Sequence, residues 1–341
     1  MATSQRSAKW ASALTISVLF IAVPGVAQRY NITDLGTFAG GAVSQGNGLN
    51  SLGQVAGYAR YANYNAHGFF WSQKVGLHNL GAIPPQTNFS AAQGINSFGD
   101  VVGYSDYDEL EDTHALLWTG GVLHDLGTLP GGRLSQANAI NDIGEVAGFS
   151  DGKNSGVHAV IWSKQGGVQD LGTLAGGYSD GIAINLQEDV VGYSIAGNGE
   201  SYGFLWTAAT GLVQLPALPG GYNGSANGIN NLGQIAGGSG SCAVLWQNDK
   251  DHTIQSLGVL PGQSWSSAFA INDVGQVVGW SGFRAFVWSR SGGMQDLNSL
   301  IPGNSGWTLS SANAINVVGQ ITGQGTINGE QHAFLLTPAP Q

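Results

Sequence analysis

The stretch Ala137-Asn138-Ala139-Ile140-Asn141-Asp142-Ile143-Gly144-Glu145-Val146-Ala147-Gly148 decides the fold, because variants of it recur seven times along the chain. Aligned on Ile/Leu-Asn, the asparagines are Asn50, Asn96, Asn141, Asn185, Asn230, Asn272 and Asn316, spaced by 46, 45, 44, 45, 42 and 44 residues. A fixed period of this size marks a repeat architecture. Within each unit, Asn-x-x-Gly separates two short apolar segments. Asn opens a turn by bonding nearby backbone, and Gly supplies the positive φ that closes a short hairpin. The fourth copy departs, with Glu188 where the others have glycine. A second glycine ends the next segment in all seven copies: Gly57, Gly103, Gly148, Gly192, Gly237, Gly279 and Gly323.

Two more segments complete the unit. One is His-Ala-Phe-Leu-Trp, seen as His114-Ala115-Leu116-Leu117-Trp118; the other is Asp-Leu-Gly-Thr-Leu, at Asp125 to Leu129 and Asp170 to Leu174. All four are short, rich in β-branched or aromatic residues and bounded by turn residues, which is the signature of strands. Trp71, Trp118, Trp162, Trp206, Trp246 and Trp288 occupy one equivalent position, with Leu336 in the seventh copy. Residues two apart on a strand share a face, so Phe69 and Trp71, Phe204 and Trp206, and Phe286 and Trp288 predict one large apolar pair per unit for the core.

The phase of the repeat predicts a ring. The first unit-type segment after residue 27 is the fourth, Asp34-Leu35-Gly36-Thr37-Phe38, and the last is the third, His332-Ala333-Phe334-Leu335-Leu336. One set of four is therefore split between the two ends. A ring lets the N-terminal strand complete the C-terminal blade and leaves no open edge. The fold expected is an all-β, seven-bladed β-propeller of four-stranded antiparallel blades, spanning 28–341 as one domain. An open β-solenoid is the alternative, but it calls for capping repeats that the ends do not show.

Asp-Leu-Gly-Thr-Leu-x-Gly-Gly, Ala-Ile-Asn-Asp-x-Gly-Gln-Val-Val-Gly and His-Ala-Phe-Leu-Trp together resemble the HAF-repeat family over about residues 30–337. These are bacterial repeat proteins of predicted extracellular location. The resemblance implies no particular activity.

Location is also predicted by the N-terminus. Arg6 and Lys9 precede the uncharged run Ala11 to Val23, and Pro24-Gly25-Val26-Ala27 places small residues before a cut after Ala27. Residues 1–27 are therefore expected to be a cleaved signal peptide, and the mature protein to be secreted, extracellular or periplasmic. The formal charge of −10 becomes −12 once Arg6 and Lys9 are removed, which argues against nucleic acid and anionic membrane as partners. The single cysteine, Cys242, excludes an intramolecular disulfide. A monomer without cofactor or metal is expected.

Candidate chemistry is sparse. His67, His114, His158 and His332 sit at equivalent positions on different blades, too far apart to converge on one metal ion, and are predicted to be strand-end hydrogen bonders. Gly148-Phe149-Ser150-Asp151-Gly152 and Gly177-Tyr178-Ser179-Asp180-Gly181 fit Gly-x-Ser-x-Gly, but no helix follows either, as a nucleophile elbow demands. The acidic run from Asp106 to Asp112 has Glu111 where a calcium loop of the EF-hand type needs glycine. The first strands, nearest the axis, read as Ala, Gly, Ser and Asn without acid or histidine, which speaks against a propeller hydrolase or lyase.

Strand parity places the loops between second and third strands on the same face as the loops between blades. Both vary, and the inter-blade loops carry Phe89, Arg133, Tyr178, Tyr222, Trp265 and Trp307, with Tyr61 and Tyr64 in the other kind. These eight residues are the predicted ligand-binding site. The function expected is a secreted, non-enzymatic module binding a glycan or protein partner on that face; the alternatives are a structural matrix protein or a glycan hydrolase or lyase.

Overall fold

A computed structural model describes residues 28–83, 88–106, 112–153, 156–163, 167–221 and 223–340. Segment 1–27, expected to be a signal peptide, the centre of the acidic run and Tyr222 lie outside these residues. The chain forms seven four-stranded antiparallel blades. Blade 1 comprises Ser44–Leu49, Val55–Arg60, Ala66–Ser72 and Gly76–Gly81. Blade 7 comprises Thr308–Ile315, Ile321–Ile327 and Glu330–Pro338, and Tyr30–Gly36 supplies its fourth strand. Tyr30 pairs with Pro338 and Gly36 with Ala333, as the split set of segments predicts. His332 Nδ1 lies 2.9 Å from Asp34 Oδ1 and ties the two ends together.

Adjacent blades are joined at the axis by the repeating asparagines. Each donates its Nδ2 to the backbone carbonyl of the corresponding asparagine in the next blade, at 2.9–3.5 Å. The series runs from Asn50 to Asn96 and on to Asn316, which donates to Asn50 O at 3.0 Å and closes the cycle. Each asparagine also shapes its own turn: Asn50 Oδ1 accepts from Leu52 N and Gln54 N. The turn-closing glycines have φ between 72° and 87°, and Glu188 is held at 65° in the left-handed region that disfavours a side chain.

The seven invariant glycines on the second strands do not have positive φ. They are demanded by close approach instead. The first strand of every blade carries a register shift, which presses a carbonyl against the glycine opposite. A Cβ on Gly57 would collide with Gln45 O, and one on Gly192 with Asp180 O; the other five copies repeat the clash.

The tryptophan position and the residue two before it, aromatic in four blades and aliphatic in three, are buried between consecutive blades. Leu257 and Leu260 of blade 5 pack with Phe286 and Trp288 of blade 6, for example. Trp118 Nε1 donates to Leu80 O, and Trp246 Nε1 to Pro216 O, at 2.7 and 2.8 Å, each reaching the preceding blade. Fully burying such a side chain contributes roughly 1.5–3 kcal/mol, so packing between blades carries the fold without a disulfide.

Two substitutions test these joints by chemical denaturation. Glu188→Gly is expected to raise stability by about 1 kcal/mol through relief of the left-handed backbone. Asn316→Ala is expected to lower it by about 2–4 kcal/mol, because the donor to Asn50 O and the acceptor of Gln320 N disappear together.

Candidate functional site

Two positions on each first strand face the axis. Counting back from the ring asparagine, the third residue is Asn47, Gln93, Asn138, Ile182, Asn227, Phe269 or Asn313, and the fifth includes Gln45, Gln136 and Asp180. Most of them enclose a cavity of about 390 Å³, lined by seven side-chain amides with Ile182 and Phe269 as its apolar part. Four of the amides are fixed by donating to the next blade's backbone: Asn47 to Ala92 O, Asn138 to Gly181 O, Asn227 to Ala268 O and Asn313 to Gly46 O. A neutral cavity with pre-oriented amides suits a polar, uncharged ligand.

Asp180 is the one acid on the seven axial strands, and it corrects the expectation that none is present. It was hidden in Gly177-Tyr178-Ser179-Asp180-Gly181, where only the serine drew notice. Asp180 Oδ1 accepts from Asn138 Nδ2 at 2.8 Å, and Gln136 Nε2 donates to Asn138 Oδ1 at 2.8 Å. The carboxyl thus sits behind an amide that lines the cavity. Burial pushes its pKa up to about 7, against a smaller downward pull from the Asn138 hydrogen bond. A carboxyl that titrates near neutrality can both take and return a proton.

A second ring surrounds the axial one. The residue after each invariant glycine pairs across the strands with the axial position: Tyr58 with Gln45, Tyr104 with Ala91, Phe149 with Gln136, Tyr193 with Asp180 and Trp280 with Ser267. Directly opposed residues share a face, so five aromatics, all half-buried, flank the axial residues. The expected site omits all five. The signal was present as an aromatic following the invariant glycine in five of seven copies. Burial first, then the hydrogen bond with Tyr178 and the negative charge of Asp180, raise the Tyr193 phenol well above its usual range.

The structure divides the predicted ligand residues. Phe89 and Tyr178 pack beside this second ring, with ring centroids 5.6 Å from Tyr104 and 5.7 Å from Tyr193. Tyr178 lies within the strand Ala175–Ile184, not in a loop, and bridges to Val157 of blade 3. Tyr61 stacks at 4.7 Å on Phe38, in the connection from blade 7 to blade 1, and accepts from Asn79, so it serves packing. Trp307 fills an interblade gap against Phe334. Arg133 is exposed and paired with Asp112. Trp265 and Tyr64 remain exposed.

The other sequence candidates take structural places. His114 and His158 each pair with the Asp of the neighbouring fourth strand, Asp125 and Asp170, at 2.8–2.9 Å, and His67 pairs with Asn79. Ser150 and Ser179 are buried strand residues: Ser150 Oγ accepts from Leu129 N, and Ser179 Oγ from Ala159 N.

No family model and no curated protein matches the chain. Among solved structures, virginiamycin B lyase from Staphylococcus aureus superposes with a TM-score of 0.55 at 11% identity, covering 92% of this chain and 100% of that one. A streptogramin B lyase gives 0.52 at 10% identity, covering 91% and 98%. A gluconolactonase from Xanthomonas campestris gives 0.44 at 12%, covering 91% and 90%, and nothing is built on it. At these identities the likeness is one of fold. The two matches named as lyases stand against the expectation of a non-enzymatic glycan- or protein-binding module. That expectation rested on the lack of a contiguous catalytic motif. A propeller gathers its functional groups from separate blades around the axis, where no contiguous motif records them.

The raised Asp180 pKa makes a pH prediction. Below about pH 4 the carboxyl is protonated in both folded and unfolded chains and has no effect. Between about pH 4 and 7 the unfolded chain loses this proton first, so stability falls as pH rises, by up to a few kcal/mol in total, and the effect levels off above 7. Asp180→Asn is expected to remove this contribution. The stability difference between variant and wild type, measured by urea denaturation, should therefore grow in the variant's favour from pH 4 to pH 8.

Proposed function

We propose that this propeller is an enzyme whose reaction takes place at the axial cavity, with Asp180 as the proton-transferring group. The observation that carries the proposal is a single carboxyl, titrating near neutrality, buried directly behind Asn138, one of the neutral amides that line the axial cavity. The reaction class we favour is elimination. Asp180 removes a proton from the carbon next to a carbonyl, the C–H electron pair forms the new double bond, and a leaving oxygen departs from the adjacent carbon with the C–O electron pair and takes up the proton that Asp180 returns. Fixed amides such as Asn138 and Asn227 orient the substrate. The aromatics Tyr58, Tyr104, Phe149, Tyr193 and Trp280 offer faces to the flat part of a small, uncharged ligand. Two fold neighbours are named as lyases, which supports this class over others. The N-terminal sequence and the HAF-type repeats support action outside the cytoplasm.

The test is turnover by the purified protein of virginiamycin B and a set of neutral cyclic esters, followed by mass spectrometry. Activity is expected to rise through about pH 7 as Asp180 ionises. Asp180→Asn is expected to lower kcat/KM by about 10²-fold or more. Equal rates for variant and wild type, or no turnover across the set, would count against the proposal.

A further inference from the structure

The face opposite the variable loops carries an apolar annulus that neither the fold nor the proposed reaction uses. In six of the seven Asn-x-x-Gly turns the second residue after the asparagine is apolar: Leu52, Phe98, Ile143, Leu232, Val274 and Val318. These side chains are 55–78% exposed. The turns that bear them touch side by side. Ser51 and Ser97 bond at 3.1 Å, Ser97 N donates to Asp142, and Asn231 N donates to Asp273. The apolar residues therefore stand on neighbouring turns around one face, with Gln187 in the fourth place. Monomeric proteins rarely expose contiguous apolar patches beyond a few hundred Å².

The charge carried by these turns is of one sign. The seven turns and the residue after each contain Asp100, Asp142, Glu145, Glu188, Asp189 and Asp273, and no lysine or arginine. Asp142 and Asp273 line a cavity of about 220 Å³ at the centre of the face, among the ring asparagines. Glu145 is held above its usual range by burial and by the neighbouring charge of Glu188, as expected of crowded carboxylates. Lys74, Lys250 and Arg290 stand farther out, in the turns between third and fourth strands.

We propose that this face docks a cationic amphipathic segment of a partner protein, with its apolar side chains on the annulus and a lysine or arginine directed to the acidic central cavity. A second copy of this chain would bring two acidic centres together, and an anionic bilayer would meet the same repulsion. Charge complementarity with an apolar rim fits a basic, amphipathic partner.

The probe is a fluorescent 18-residue helical peptide of lysine and leucine, titrated with the full protein and read by anisotropy. A glutamate–leucine peptide of the same pattern is the control. The cationic peptide is expected to bind at least tenfold more tightly. One variant, Leu52→Ser/Phe98→Ser/Leu232→Ser/Val274→Ser, leaves the charge unchanged and alters only exposed positions. It is expected to bind at least tenfold more weakly while keeping its circular dichroism spectrum. Asp142→Asn/Asp273→Asn is expected to weaken binding and flatten its salt dependence. Unchanged affinity in the serine variant would show charge attraction alone and overturn the proposal. So would equal binding of the two peptides. Sedimentation with phosphatidylcholine vesicles, or self-association in the ultracentrifuge, lost in the serine variant while peptide binding persists, would assign the annulus to lipid or to a second copy and overturn it as well.

Discussion

The cycle of seven asparagines is the interaction on which the rest of this structure depends. Each one does three things with a single side chain. Its Oδ1 sets the turn that joins the first two strands, its Nδ2 reaches the next blade, and its own carbonyl receives the Nδ2 from the blade before. All seven are buried, so loss of any one leaves polar backbone without a partner in a place water does not easily reach. This explains why the asparagine survives in every copy while its neighbours vary. Further out, His332 and Asp34 repeat, between the two ends of the chain, the clasp that His114 and Asp125 make within one blade. The ends are joined by the same bonds that hold each blade together.

Seven equivalent blades leave little room for chemistry unless the equivalence is broken. Around the axis it is broken at few places. Ile182 and Phe269 interrupt the amides, and Asp180 interrupts a position otherwise filled by Gln, Ala or Ser. A buried acid here disfavours the folded state at neutral pH, because its ionisation is opposed by burial. The surrounding ring, held by interblade packing and the asparagine cycle, tolerates that cost. Residues that break a local rule without structural gain are the ones to associate with function.

The fold was legible because each strand carries its own signature and the units repeat. The asparagine spacings predict the blades, and the split segments at Asp34 and His332 predict how the ring meets. The bonds between blades were not legible, since Asn-x-x-Gly reads as a self-contained turn and nothing in one repeat shows that its amide reaches forty or more residues ahead. The second-strand glycines were visible, but not their reason, which is a register shift on the facing strand. The site was only partly legible. Loop aromatics stand out in a sequence, yet Tyr61 and Trp307 turn out to serve packing. Tyr104, Phe149, Tyr193 and Trp280 were masked because an aromatic in a strand reads as core.

Charge shows the same limit of whole-chain quantities. A net charge of −10 speaks against nucleic acid as a partner, but it does not say where the acids are. Six of the 21 acidic residues fall in or just after the seven turns of one face, without a compensating base. Asp142 and Asp273 line the central cavity of that face, Glu145 and Glu188 stand close enough to repel, and the apolar residue of six turns is exposed. The scaffold requires only the asparagine and the glycine, so the identity of the residues between them is free to vary, and six apolar choices out of seven at one exposed position are not something the fold itself demands.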